Sequence, residues 1–252
     1  MTISLVALFL LLAVPASVFA QMETPPPASG EGNATLRKLV VGTVIASLDT
    51  FGGAAWEDWS SSYLKAEGSP PAKPKKTGNE DQDFELEYDY AWAYDKWQSM
   101  YSPRQLTDDS SETCWVEGVA GSGIGEVVIV KVDADKPVQI QSGYQKNAGL
   151  YERNARPAKV RLFVLQATQQ GITQWDIVYM DIKTLAAGEY VLKDVMDWQP
   201  LPMPAYKPIL KPRGKDEDWS LSTQTFVAIQ ILSVYPGSKY EDTCISGVRN
   251  KP

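Results

Sequence analysis

From Trp115 towards the C-terminus the chain is a series of short runs rich in β-branched and aromatic residues, and this constrains the fold more than any other feature. "EVVIVKV" closes in the turn "DADKP". "VQIQSGY", "AKVRLFVLQAT", "WDIVYMDI", "EYVLKDV" and "TFVAIQILSVY" come next, with Gly, Pro or Asn/Asp between them. Beyond the first twenty residues no apolar stretch has the length and period of a helix. Short strands bury their apolar positions only by pairing into sheets and then facing those sheets together. The series therefore predicts an all-β protein, a β-sandwich of the jelly-roll kind.

The flanks of this series have a different character. "MTISLVALFLLLAVPASVFA" is uncharged and ends in small residues, with Val18 and Ala20 placed for a cut. It reads as a signal peptide spanning residues 1–20, although it lacks the usual basic n-region. Its apolar core is short for a membrane span, and no Cys comes after the cut to carry a lipid. Residues 21–36, rich in Pro, Gly and small polar residues, read as a disordered tether. Residues 37–252 are then one domain, opening on the strand "LRKLVVGTVIAS". Two long loop insertions interrupt it, at about 50–96 and about 195–220; the second is the Pro-rich "MDWQPLPMPAYKPILKPRGKDEDW". Inside the first, "DFELEYDYAWAY" alternates aromatics and Leu with acids. Phe84, Leu86, Tyr88, Tyr90, Trp92 and Tyr94 share one parity; Asp83, Glu85, Glu87 and Asp89 share the other. Period two predicts an edge strand with an aromatic face and an acidic face.

Charge and composition remove several function classes. The net charge is -7, without a basic cluster, so nucleic acid is not an expected partner. The chain has no histidine, which excludes Ser-His-Asp and Cys-His catalysis and the ordinary His-based zinc sites. Carboxylate pairs such as Glu57/Asp58 carry little weight in so acidic a chain, and the protein is not expected to be an enzyme. Export would place Cys114 and Cys244 in an oxidising compartment, where they form either a disulfide or two buried thiols. A bridge closing so long a loop is worth about 4–5 kcal/mol in the chain-entropy model.

"GSGIGEVVIV", Gly121–Val130, resembles a phosphate cradle at first sight. A dinucleotide fingerprint would need its third glycine at position 126, which is Glu126, and a helix after it. The run after Glu126 is strand-like instead, and no Gly-Lys-Ser/Thr is present. These glycines predict a tight, non-helical approach to a sandwich strand.

"YSPRQLTDDSSETCWVEGVAGSGIGEVVIV" resembles the opening of the discoidin-like (F5/8 type C) family. It most resembles the subgroup found as the translocation or glycan-binding domain of bacterial NAD glycohydrolase toxins. "SGYQKNAGLYERNARPAKVRL", "VYMDIK" and "IQILSVYPGSKYEDTCISGV" resemble its later segments, in family order. The resemblance implies a jelly-roll sandwich of the galactose-binding-domain type. It also implies a secreted or periplasmic bacterial protein and a carbohydrate ligand. It brings no NAD-cleaving activity, because no catalytic domain accompanies it.

Three groups of residues are candidates for a site. The resemblance implies a calcium loop, to which Asp108, Asp109 and Thr113 correspond; the family's distal Glu is Gly247 here, so its last oxygen ligand is missing. If relatives bring these segments together around a metal, Cys114 and Cys244 also lie close. The second group, Tyr144, Lys146, Tyr151, Asn154 and Arg156, mixes rings with amide and cationic donors, as sugar recognition requires. Its bland counterpart is Asn154 capping a turn and Arg156 paired with a carboxylate such as Glu126 or Glu152. The third is the aromatic content of the first insertion, including Trp56, Trp59, Trp92 and Trp97, read either as a ligand platform or as a local mini-core. The function expected is a non-catalytic glycan-binding module that needs no cofactor, with a structural or protein-interaction module of the cell envelope as the alternative.

Overall fold

The computed structural model describes residues 30–49, 56–172, 177–209 and 224–252. The signal peptide, the first part of the tether and much of the second insertion lie outside these residues. Two antiparallel sheets form an all-β sandwich, as the strand series predicts. The strands are β1 (Val44–Asp49), β2 (Trp115–Val116), β3 (Val127–Lys131), β4 (Val138–Ser142), β5 (Arg156–Ile172), β6 (Ile177–Val191), β7 (Gln199–Leu201), β8 (Thr225–Tyr235) and β9 (Cys244–Asn250). One sheet runs β1-β6-β5-β8-β3 and the other β2-β9-β4-β7. Among the described residues two α-helices, α1 (Glu80–Gln98) and α2 (Ala148–Arg153), sit in connections.

The sandwich interior is built by alternate residues of facing strands. Trp115, Val128, Ile140, Leu162, Ile229 and Ile245 are among those that meet there. Yet β3 and β8 are buried almost continuously rather than alternately. A strand reads as an unbroken apolar run when both of its faces are covered. The cover on the outer face of the larger sheet comes from the N-terminal segment. Leu36, Leu39, Leu48 and Trp59 pack there on Val127, Phe163 and Phe226.

That cover corrects three expectations. Residues 30–36 are not tether: Glu31 bridges Ser62, the Asn33 N–H donates to the Ser60 carbonyl at 2.7 Å, and Leu36 is buried. The first strand starts at Val44, not in "LRKL", where Ala34–Lys38 forms a 3-10 turn. Part of the first insertion is core. Ser60 bridges Val128, the Ser61 N–H donates to the Val127 carbonyl, and the buried Trp59 ring packs edge-on to Tyr179 and Phe226. The sheet has a second apolar face, and these residues are what closes it.

The expected strand "DFELEYDYAWAY" is helical and forms most of α1. The Asn79 side chain caps it, accepting from the Asp81 and Gln82 N–H groups. Glu80, Asp81 and Asp83 in the first turn favour the positive end of the helix dipole. Asp83 also accepts from the Thr77 N–H and hydroxyl and from the Gly78 N–H, closing the preceding turn. The aromatics of α1 then split into two stripes. Tyr90, Tyr94 and Trp97 stack in series, with centroids 5.9 and 5.5 Å apart. Phe84, Tyr88 and Trp92 point to solvent.

Candidate functional site

The glycine run does shape a strand approach, and the reason is a buried carboxylate. Gly121, Gly123 and Gly125 all have positive φ. Gly123 passes so close to Glu117 that a Cβ there would lie 2.4 Å from the Glu117 Cγ. Glu117 is fully buried under this loop and accepts from the Val119 N–H at 2.9 Å and the Thr243 N–H at 3.3 Å. Burial pushes its carboxyl up to about 7, against the two N–H groups that favour the anion; the Asp242 and Glu126 carboxylates add to the rise. Glu126, the next buried acid, behaves oppositely. Burial raises it, but the Arg37 guanidinium and the Ser61 and Ser62 hydroxyls outweigh that and hold it below the usual carboxylate range.

At the end of the smaller sheet, β2 and β9 bring Cys114 and Cys244 together. Val116 faces Cys244 and Trp115 faces Ile245 across the ladder, which sets the two cysteines diagonally on one face. Both are buried free thiols, so the disulfide read from the sequence is not formed in this structure. A hydrogen bond with Cys114 and burial together push the Cys244 thiol well up.

Tyr101, Tyr144 and Leu64 pack over this pair. The Tyr101 hydroxyl donates to the Glu67 carboxylate at 3.2 Å, and the Trp97 indole N–H donates to the Glu67 carbonyl at 3.0 Å. The Tyr144 hydroxyl donates to the Glu112 carbonyl at 3.0 Å, and the Lys146 ammonium lies 3.8 Å from the Glu112 carboxylate. Burial, with the nearby thiols and Glu112 and Glu67, pushes the Tyr144 hydroxyl up to about 12; burial and Glu67 push the Tyr101 hydroxyl up further. Both phenols are therefore neutral donors at ordinary pH. Half-buried rings, neutral hydroxyls, exposed carboxylates and one ammonium share a rim. Such a surface can pack a C–H face and satisfy hydroxyls at its edge.

The other sequence candidates are committed elsewhere. Arg156 makes a bidentate pair with Asp194, not with Glu126 or Glu152. It also lies 4.6 Å from the Tyr151 ring centroid and 5.8 Å from that of Tyr235. Tyr151 donates to the same Asp194 at 2.8 Å, and Asn154 donates to the Leu150 carbonyl at 2.8 Å, closing α2. Gly143 turns the chain between this cluster and the rim. Its φ is +85°, and a Cβ would sit 2.8 Å from the Tyr151 ring. Trp56 and Trp59 belong to the outer core, with Glu57 accepting from the Tyr63 hydroxyl at 2.6 Å. Trp92 lies on the solvent side of α1, away from Trp97.

The calcium loop does not fit a cation. Asp108 accepts from the Ser110 N–H at 2.9 Å and from the Thr113 hydroxyl at 2.6 Å, a self-contained Asx turn. Asp109 faces the Arg249 guanidinium at 3.5 Å, and that guanidinium stacks 4.0 Å over the Trp198 ring. A Cβ on Gly247 would lie 3.0 Å from the same indole. Where the family resemblance places a distal carboxylate, the chain packs an aromatic ring. Among the described residues no group of three or more Cys, Asp or Glu is arranged to hold a metal.

The family of NAD glycohydrolase translocation F5/8 type C domains matches residues 91–251. The chain belongs to this family. The translocation-domain match begins within α1, so Trp97, Tyr101, Glu112, Tyr144 and Lys146 lie inside it, while Glu67 and the N-terminal cover lie outside. One solved structure with some likeness is a Ruminococcus gnavus GH29 fucosidase in complex with fucose. It shares 12% identity, covers 61% of this chain and has a TM-score of 0.24. The chain spans only 23% of that structure's length, and the likeness is too slight to inform the site. No curated protein matches the chain.

Sequence reasoning missed Tyr101, Glu67, Trp198 and Arg249. Tyr101 opens the very stretch that carries the family resemblance, and Trp198 is an aromatic in a Pro-rich loop; either signal was readable.

Proposed function

We propose that the chain is an exported, bacterial, non-catalytic binding module whose ligand is a carbohydrate held at the loop end of the sandwich. The observation that carries this reading is the convergence of Trp97 and Tyr101, from either side of the end of α1, with Tyr144 from the loop after β4. They meet around Glu67, Glu112 and Lys146. Rings for the apolar face of a sugar and planar acceptors for its hydroxyls are the two requirements of such a ligand. Oxidation of the adjacent Cys114 and Cys244 thiols on export belongs to the same proposal. It would staple β2 to β9 directly beneath the two tyrosines.

The test is a glycan array probed with the wild type and with Tyr101→Ala and Tyr144→Ala. Binding to a defined set of glycans that both variants lose is the expected result. Wild-type binding to none of them, or variants that bind like the wild type, would overturn the proposal. The second reading, an interaction module of the envelope, is favoured by the solvent-facing aromatics of α1.

A further inference from the structure

The outward stripe of α1 leaves three large aromatic rings open to solvent. Phe84, Tyr88 and Trp92 are 64%, 61% and 64% exposed. They stand at i, i+4 and i+8, so their rings form one continuous ridge. Large rings left this open on a monomer mark a place where another surface lands.

The charges around the ridge indicate what that surface carries. From Glu80 to Gln98 there are seven carboxylates, Glu80, Asp81, Asp83, Glu85, Glu87, Asp89 and Asp95, against one lysine, Lys96. They are placed beside the rings. Asp81 and Glu87 lie three residues either side of Phe84, Glu85 three before Tyr88, and Asp89 and Asp95 three either side of Trp92. Asp81, Glu85 and Asp89 also succeed one another at i, i+4, as do Asp83 and Glu87, and each such like-charge contact destabilises a helix. Part of this is offset, since the helix dipole and the Thr77 and Gly78 donors favour the first-turn acids. Lys76 approaches Glu87 at 3.9 Å and Arg104 pairs with Asp95 at the C-terminal end. Helix α1 therefore combines open rings with a row of carboxylates, Glu85 and Asp89 at i and i+4 among them, whose mutual repulsion an arriving cation relieves.

We propose that the Phe84–Tyr88–Trp92 ridge and its flanking carboxylates dock an arginine- and lysine-rich segment of a partner protein. A guanidinium stacks on each ring face while its N–H groups reach the neighbouring carboxylate, so one side chain satisfies both features. A second copy of the chain brings the same negative charge and is repelled. An anionic bilayer is repelled likewise.

The test uses the full chain and a fluorescein-labelled oligo-arginine peptide, read by anisotropy. The triple change Phe84→Ala, Tyr88→Ala and Trp92→Ala keeps every carboxylate. It is expected to weaken binding about tenfold, the size expected when three exposed cation–π contacts go together. The change Asp81→Asn, Glu87→Gln and Asp89→Asn keeps every ring and is expected to weaken binding and flatten its salt dependence. If the aromatic variant loses helical signal by circular dichroism, Trp92→Ala alone decides, with a loss of about threefold expected. Wild-type affinity in the aromatic variant would show charge attraction alone and overturn the proposal. Capture by phosphatidylcholine vesicles in place of the peptide, or self-association of the wild type abolished in the aromatic variant, would also overturn it. Neither set of changes touches Tyr101 or Tyr144, so glycan binding reports separately.

Discussion

The buried carboxyl of Glu117 makes stability depend on pH with a sign opposite to that of most acids. Its folded-state value lies near 7 and its ordinary value is 4.5. The native state therefore holds a proton that the unfolded chain releases between these limits. Stability contributed by the neutral acid is fully present below about pH 4.5 and is lost as pH rises through about 7. A difference of this size corresponds to roughly 3 kcal/mol across the window. Glu126 and Asp194, held low by Arg37 and Arg156, work the other way and lose their contribution only as pH falls through the acid range. Glu117→Gln removes the titration; its single carbonyl can accept from only one of the Val119 and Thr243 N–H groups, which bond to different carboxylate oxygens, and that loss is a constant offset that does not vary with pH. Urea unfolding of both proteins, monitored by tryptophan fluorescence from about pH 5 to about pH 8, isolates the effect by subtraction. The stability of the variant relative to the wild type is expected to rise with pH by about 2–3 kcal/mol and to level off above neutrality. A difference that stays flat over this range would refute the reasoning, because Glu117 would then be charged in the fold or equally titrated out of it.

The contacts set three further outcomes. Arg37→Ala is expected to cost about 2–3 kcal/mol in the same unfolding assay, because Glu126 would be left buried with only serine hydroxyls. Gly143→Ala, at positive φ and against the Tyr151 ring, is expected to cost about 1–3 kcal/mol and to weaken whatever binds at Tyr144. Millimolar calcium is expected to leave the melting temperature unchanged, since Asp108 and Asp109 already have partners; a clear rise would contradict that assignment.

The sandwich was legible because its strands alternate or run apolar between unmistakable turns. What failed has specific causes. Period two and period four share parity, so Phe84, Tyr88 and Trp92 in "DFELEYDYAWAY" satisfy a strand pattern and a helical stripe alike. The signals that favour the helix are local, namely Asn79 at the cap and acids in the first turn. The N-terminal cover was hidden for another reason. Leu36, Leu39 and Trp59 are scattered among polar and small residues, and only the continuous burial of β3 and β8 shows that the larger sheet needs a second layer.

The site was legible by residue type but not by partner. Arg156, Tyr151 and Asn154 look like sugar ligands because planar donors beside rings are what sugars need; they are equally what a sheet edge needs to hold a loop. The deciding residue, Asp194, lies 38 positions beyond Arg156, a distance at which no local pattern pairs an arginine with an acid. Tyr144 survives as a candidate because its ring packs on the thiols while its hydroxyl spends only one bond, on a backbone carbonyl. The same criterion, a ring fixed from behind with its polar edge still facing solvent, selects Tyr101 and sets aside Tyr151, whose ring carries a guanidinium and whose hydroxyl is bound to Asp194. At the loop where the sequence resemblance implied a calcium site, this chain has the Asp109–Arg249–Trp198 stack. The rim is therefore supported by packing and an internal cation, which is why its readiness to bind is expected to be independent of calcium.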